Sequence, residues 1–195
     1  MRRTAAKRRV VGFSLIELIV ALAVALILVA IGLPIFLRAY RIYELNSAAG
    51  QMAGILRLAR YEAIRLNKPV NCAVQSDGAT PPTTTVWVDS NLDGNPDPTE
   101  KQVVFSNAGN LVGPPGMIPP ISGQIGTMSI TAPSPFASSV QFDARGAVKP
   151  PTTVNVFYLS SAVAPEAGYR AVVLMPAGSI QIWMGDTSGN WQFQQ

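Results

Sequence analysis

Histidine is absent from this 195-residue chain, and cysteine occurs once, at Cys72. Without histidine there is no Ser-His-Asp triad and no imidazole general base. A single thiol cannot close an intramolecular disulfide, and with no histidine beside it there is no Cys-His metal site. Cys72 sits in VNCAV, which alternates like a strand, so it reads as a small buried apolar residue. No glycine-rich phosphate loop is present either. These absences leave little for catalysis, and no enzyme is expected.

Acidic residues are also missing from the first twelve positions, which hold Arg2, Arg3, Lys7, Arg8 and Arg9. Beyond Gly12, ten basic side chains face eleven acidic ones, so the net charge of +4 belongs to the N-terminal tip. Positive residues before an apolar run stay cytoplasmic, so the tip reads as a topology signal. Clustered phosphate contacts are not what it suggests.

Next to the basic tip stands a long apolar run, VVGFSLIELIVALAVALILVAIGLPIFL, from Val10 to Leu37, with one charge, Glu17. The twenty residues Leu18 to Leu37 are about enough to cross a bilayer as a helix. A cleaved secretory signal would have a shorter apolar core, and a plain anchor gives no reason for Glu17. A carboxylate in a membrane helix costs about 2.5–3.5 kcal/mol even on forgiving scales. Cutting between Gly12 and Phe13 supplies the reason. The new α-amine on Phe13 lies one helical turn from Glu17, and the two charges neutralise each other within one chain or between neighbours. A pair made between subunits turns the cost of the charge into a force for assembly.

A basic leader, Gly12, Phe13-Ser14-Leu15-Ile16-Glu17 and an apolar run closely resemble the class III signal of type IV pilins and type II secretion pseudopilins. The resemblance implies cleavage after Gly12 by prepilin peptidase and N-methylation of Phe13. It implies that Glu17 guides subunit register in the filament. Pro34 matches a proline common in these helices.

Past Leu37 the helical pattern continues. Leu45, Ala48, Ala49, Met52, Ile55, Leu56, Ala59, Ala63 and Leu66 recur at three- and four-residue steps, which defines one apolar stripe. Asn67-Lys68-Pro69 should end the helix, because the residue before a proline avoids the α region. A helix from Phe13 to about Leu66 would run roughly 80 Å at about 1.5 Å per residue. Thereafter short segments rich in β-branched and aromatic residues predict eight strands, at 70–75, 83–89, 102–105, 127–131, 138–142, 154–159, 169–175 and 179–184. DGATPP, DARG, KPPT and PAG supply turns, and Pro- and Gly-rich 109–123 reads as a surface loop. The expected fold class is α+β, with a sheet curled over the helix or two sheets against it.

The order ARYEAIRLNKPV, VWVDSNLDG, VQFDARGAV and a last hairpin around Pro176-Ala177-Gly178 resembles the GspH/FimT family of minor pseudopilins and minor pilins over nearly the whole chain. That resemblance implies a pilin-like head of two antiparallel β-sheets on the helix and a place at or near the filament tip. The domain reading is a leader over 1–12, a transmembrane or filament-core helix over 13–37, an amphipathic helix over 38–66 and a periplasmic β-rich head over 67–195. The implied function is that of a minor pseudopilin of type II secretion. A type IV minor pilin is the alternative. Implied partners are prepilin peptidase, other major and minor pseudopilins and the inner-membrane assembly platform. The implied location is the bacterial inner membrane, crossed once, with a cytoplasmic N-terminus.

Nucleic acid is disfavoured as a partner. Some FimT-like pilins bind DNA through a basic Gly-Arg-x-Arg stretch in the last hairpin, where this chain reads Ala177-Gly178-Ser179-Ile180-Gln181-Ile182. Trp183 and Trp191 could stack on bases, but packing is the commoner role of tryptophan there.

No cofactor is required, with calcium the one candidate. DSNLDGNPDPTE, residues 89–100, places Asp89, Asn91, Asp93, Asn95, Asp97 and Glu100 at the ligand positions of a twelve-residue calcium loop, with Gly94 at its turn. The flanks read as strands, Pro96 and Pro98 remove donors, and Asp, Asn and Gly are equally the residues of a solvated hairpin turn. Both readings stand on the sequence.

Overall fold

The structure is a computed structural model that describes residues 14–79, 82–106, 109–113, 115–116, 118–120 and 126–194. It divides into two compact units, Met1–Ala39 and Tyr40–Gln195.

Helix α1, Leu15–Leu66, supplies the described residues of the first unit beyond Ser14 and enters the second. Ser14 caps its start: the Glu17 amide donates to Ser14 Oγ at 3.3 Å. Pro34 lies inside the helix without ending it. The far end closes on a left-handed residue, Asn67 at φ 50°, with the Lys68 amide bonded back to Ala63 O and the Asn67 amide to Ile64 O. This hydrogen-bonded left-handed cap explains the stop as fully as the proline after it.

In the second unit eleven strands follow among the described residues, in two sheets. The first sheet has the order β3-β2-β1-β6-β7, all neighbours antiparallel. Its strands are β1 (Val70–Ser76), β2 (Thr84–Asp89), β3 (Gln102–Phe105), β6 (Ala137–Phe142) and β7 (Val148–Lys149). The second has the order β11-β10-β9-β8-β4, made of β4 (Asn110–Val112), β8 (Thr153–Ser160), β9 (Tyr169–Leu174), β10 (Ile180–Gly185) and β11 (Trp191–Gln194). A short strand β5 (Ser129–Thr131) runs parallel beside the start of β8, while β4 pairs antiparallel with its end. The second sheet is thus antiparallel except at that one join.

The period of two explains what each sheet buries. Val70, Cys72 and Val74 of β1, Val86 and Val88 of β2, and Val140 and Phe142 of β6 point into one core. Phe157, Leu159, Val172 and Leu174 reach the same core from the second sheet. Between them lies the helix stripe Leu45, Ala48, Ala49, Met52, Ile55, Leu56, Ala59 and Ala63, all buried, with Ala53 added to those expected. Strand β8 is buried on both faces. Its alternate residues Val154, Val156 and Tyr158 join Ala171, Val173 and Trp183 in a second apolar cluster on the outer side of that sheet.

Several expectations change. Residues 109–113 are not only loop, since Asn110–Val112 forms β4 and buries Leu111. Eight strands become eleven with β4, β7 and β11, which form against β8, β6 and β10. The expected strand at 127–131 shortens to Ser129–Thr131.

Candidate functional site

The cleavage residues Gly12 and Phe13 lie outside the described residues. Glu17 stands in the first turn of α1, exposed, four positions after Phe13. Around it Leu15, Ile16, Leu18 and Ile19 are exposed, and so is every residue through Tyr40. Mean hydropathy in this part of the helix reaches 3.0, long and apolar enough to cross a membrane. Sequence reasoning passed over Ser14. Ser14-x-x-Glu17 is the spacing of a helix-capping box, and the recorded bond is its Ser half. Glu17 therefore sits where a carboxylate also favours the positive end of the helix.

The acidic loop forms a network of its own hydrogen bonds. Asp89, buried at the end of β2, accepts from the amides of Leu92 (2.6 Å) and Gly94 (3.2 Å), and both of those residues have positive φ. Glu100 accepts from the Ser90 amide at 2.9 Å and the Asp97 amide at 3.4 Å. Asp93 takes the Asn95 amide and the Asn91 side chain, and Asp97 takes the amide and hydroxyl of Thr99. The Thr99 amide is the main reason the Asp97 carboxyl is held below its usual range. Among the described residues no three acidic, histidine or cysteine side chains gather as a metal site. The loop is closed by these bonds, and the carboxylates of Asp89, Asp93, Asp97 and Glu100 do not converge as a ligand cluster.

Cys72 is fully buried, and burial pushes its thiol up to about 12, so it is chemically quiet. Trp183 packs at 5.4 Å from Phe193, and Trp191 at 6.3 Å from Tyr158. Both indoles belong to the outer apolar cluster of the second sheet.

Three separate motifs meet at Arg60, which lies in ARYEAIRL on the helix. The β6–β7 turn places Gly146 at φ 76°, held by Asp143, whose Oδ1 accepts the Arg145 and Ala147 amides at 2.9 Å. The β9–β10 turn places Gly178 at φ 79°. The two turns touch, because the Val148 amide donates to Pro176 O at 2.8 Å. Arg60 lies against both glycines and donates from a guanidinium nitrogen to Gly178 O at 3.0 Å. A Cβ on Gly178 would fall 2.5 Å from Gly146 O and 2.7 Å from Arg60 Nε. Arg60 thus ties the helix to a turn from each sheet. Further along, the buried Arg170 donates to Asn46 Oδ1 at 2.7 Å and to the carbonyls of Ala167 and Tyr169, and Arg41 donates to Val163 O. None of these three arginines was singled out by the sequence reading, because each is tied to a distant segment, Arg60 to Gly178, Arg170 to Asn46 and Arg41 to Val163.

Comparison with known proteins returns two family models. "Type II transport protein GspH" matches residues 48–178, more than half of the chain, and "Prokaryotic N-terminal methylation motif" matches residues 8–33. No curated protein matches. Among solved structures, the type IV minor pilin FimU of Pseudomonas aeruginosa is similar at 16% identity, with a TM-score of 0.47, over 78% of this chain and 94% of that one.

Proposed function

The chain belongs to the GspH family and is a minor pseudopilin or minor pilin, and we propose that within that class it serves type II secretion. Its N-terminal methylation motif implies processing by prepilin peptidase and assembly with other pilin-type subunits, and its apolar helix anchors it in a membrane. The family is structural, and the subunit acts by packing, not by catalysis. In the reading proposed, the basic leader stays cytoplasmic, the helix crosses the inner membrane once, and the β-rich head is periplasmic. The subunit then leaves the bilayer for a short pseudopilus and occupies a place at or near its tip. Other major and minor pseudopilins and the inner-membrane assembly platform are its partners.

One observation carries this reading. From Leu15 to Leu37 the helix is exposed and apolar all round, and its one charge stands in the first turn. Such a surface is stable in lipid or against other helices like itself. Glu17 then finds its counter-charge in the amine freed at Phe13.

Intact-mass spectrometry of protein extracted from native membranes tests the first step. The expected mature chain starts at Phe13 and carries an N-methyl group. A start near Ala23, or an uncut leader, would overturn the assignment. Copurification with neighbouring pseudopilins tests the second, and the genes beside it separate type II secretion from a type IV pilus.

A further inference from the structure

Beside the Arg60 junction the head opens a cavity of about 360 Å³ between α1 and the start of β10. Arg57, Arg60, Tyr61 and Ile64 line it from the helix, at steps of three and four that make one face. Ser179 and Ile180 line it from the sheet. No acid lines it, and among the described residues neither Arg57 nor Arg60 belongs to an ion pair. Arg60 spends one nitrogen on Gly178 O and leaves its buried Nε without a partner. Arg57 is exposed and makes no hydrogen bond among the described residues.

We propose that this cavity receives an aspartate or glutamate side chain from a different pilin-type subunit. The proposal rests on the assembly reading above for the source of that carboxylate. Two guanidiniums facing one recess repel each other until an anion lies between them. The free planar fork of Arg57 suits a carboxylate held by paired hydrogen bonds, while Arg60, committed to Gly178 O, adds its positive charge beside it. The remaining walls, Ile64, Ile180 and the Tyr61 ring, suit the apolar stem and neighbours of a peptide side chain. A nucleic-acid backbone needs a row of positive charges, whereas residues 40–195 carry nine basic side chains against ten acidic ones.

The test uses the full chain expressed with its neighbouring subunits. A photo-crosslinking benzoylphenylalanine replaces Tyr61, whose side chain is 70% exposed at the rim, and crosslinks are mapped in native membranes by mass spectrometry. The expected crosslink falls on a segment of another pilin-type subunit that carries Asp or Glu. Arg57→Glu should reduce it by about tenfold or more, Arg57→Lys should keep most of it, and changing the mapped acid to Lys should restore it in Arg57→Glu. Ser179→Asp, which places an acid of the chain itself in the recess, should reduce it as well. If the wild type copurifies with pilin-type subunits but the crosslink is absent, indifferent to both charge changes, or mapped to a second copy, phospholipid or nucleic acid, the cavity has no such role. If the wild type copurifies with none of them, the assembly reading fails and the proposal falls with it.

Discussion

Two stretches of helix α1 use alanine in opposite ways. Ala21, Ala23, Ala25 and Ala30 are exposed, whereas Ala48, Ala49, Ala53, Ala59 and Ala63 are buried. In the earlier stretch they alternate with Leu, Ile and Val that are also exposed, so no side of the helix is polar. In the later stretch they share the helix with Arg57, Tyr61 and Arg65, and only one stripe is covered. Apolar content alone therefore does not say what a helix is for. An apolar surface all the way round asks for lipid or like helices, while a stripe of small residues lets strands come close on one side.

The comparison breaks most sharply at leucine. Leu56→Ala, in the buried stripe, is expected to cost about 2–5 kcal/mol of head stability. Leu26→Ala, in the exposed stretch, should leave the same transition unchanged. Denaturant unfolding of the detergent-solubilised chain, followed by tryptophan fluorescence, measures both. Equal losses would mean that the two stretches are not different environments.

Gly178→Ala comes next. The new methyl group would meet Gly146 O and Arg60 in a backbone conformation that side chains rarely adopt, and about 1–3 kcal/mol should be lost. Ala177→Ser, one residue earlier and exposed, serves as the silent control in the same melts.

Glu17→Ala probes the exposed stretch on its own terms. Membrane insertion should be kept or improved, because a charge is removed from hydrocarbon. Incorporation into the filament should fall by about tenfold, since the amine at the mature N-terminus loses its partner. Shear fractions and crosslinking read the two steps separately, and wild-type incorporation would remove Glu17 from assembly.

Acid should have a smaller effect. The Asp77 carboxyl is held below its usual range chiefly by the Thr83 amide, Asp143 by the Ala147 amide and Asp186 by the Asn190 side chain. Folded values below the unfolded ones mean a contribution that is complete above about pH 5 and is lost as pH falls through the carboxylate range. Melting temperature of the head should be flat from neutral pH down to that point and decline below it. A rise on acidification would reverse the sign.

Calcium makes the finest distinction. Among the described residues the carboxylates of 89–100 do not gather around one point, so millimolar calcium is expected to leave melting unchanged. A rise reversed by chelator would establish the cation reading of Asp89, Asn91, Asp93, Asn95, Asp97 and Glu100.

How much of this was open to the sequence depends on the range of the forces involved. The helix stripe was readable from Leu45 to Ala63 because a period of 3.6 is written in neighbouring residues. Strands β1, β2, β6, β8, β9 and β10 were readable because each carries enough β-branched and aromatic residues to be recognised alone. Strands β4 and β7, of three and two residues, are too short to carry such a signal and exist by pairing with β8 and β6, whereas the alternation of Trp191 and Phe193 in β11 was a signal the reading passed over. The acidic loop shows the same limit in reverse. Its spacing fits a calcium loop, yet which atoms its carboxylates face depends on the turn that Leu92 and Gly94 adopt.

The sequence by itself determined that the first part of the N-terminal helix is apolar all round with a single charge, Glu17, at its start, and that an α+β head follows. Hydropathy, charge and periodicity are sums over adjacent residues, and no fold is needed to read them. Only the tertiary structure decided that Arg60 joins a helix to two glycine turns more than eighty residues away, and that Arg57 is left beside it without an anion. Those outcomes depend on which carbonyls and which Cβ-free positions arrive at one point. Packing brings them there, and no local pattern encodes the meeting.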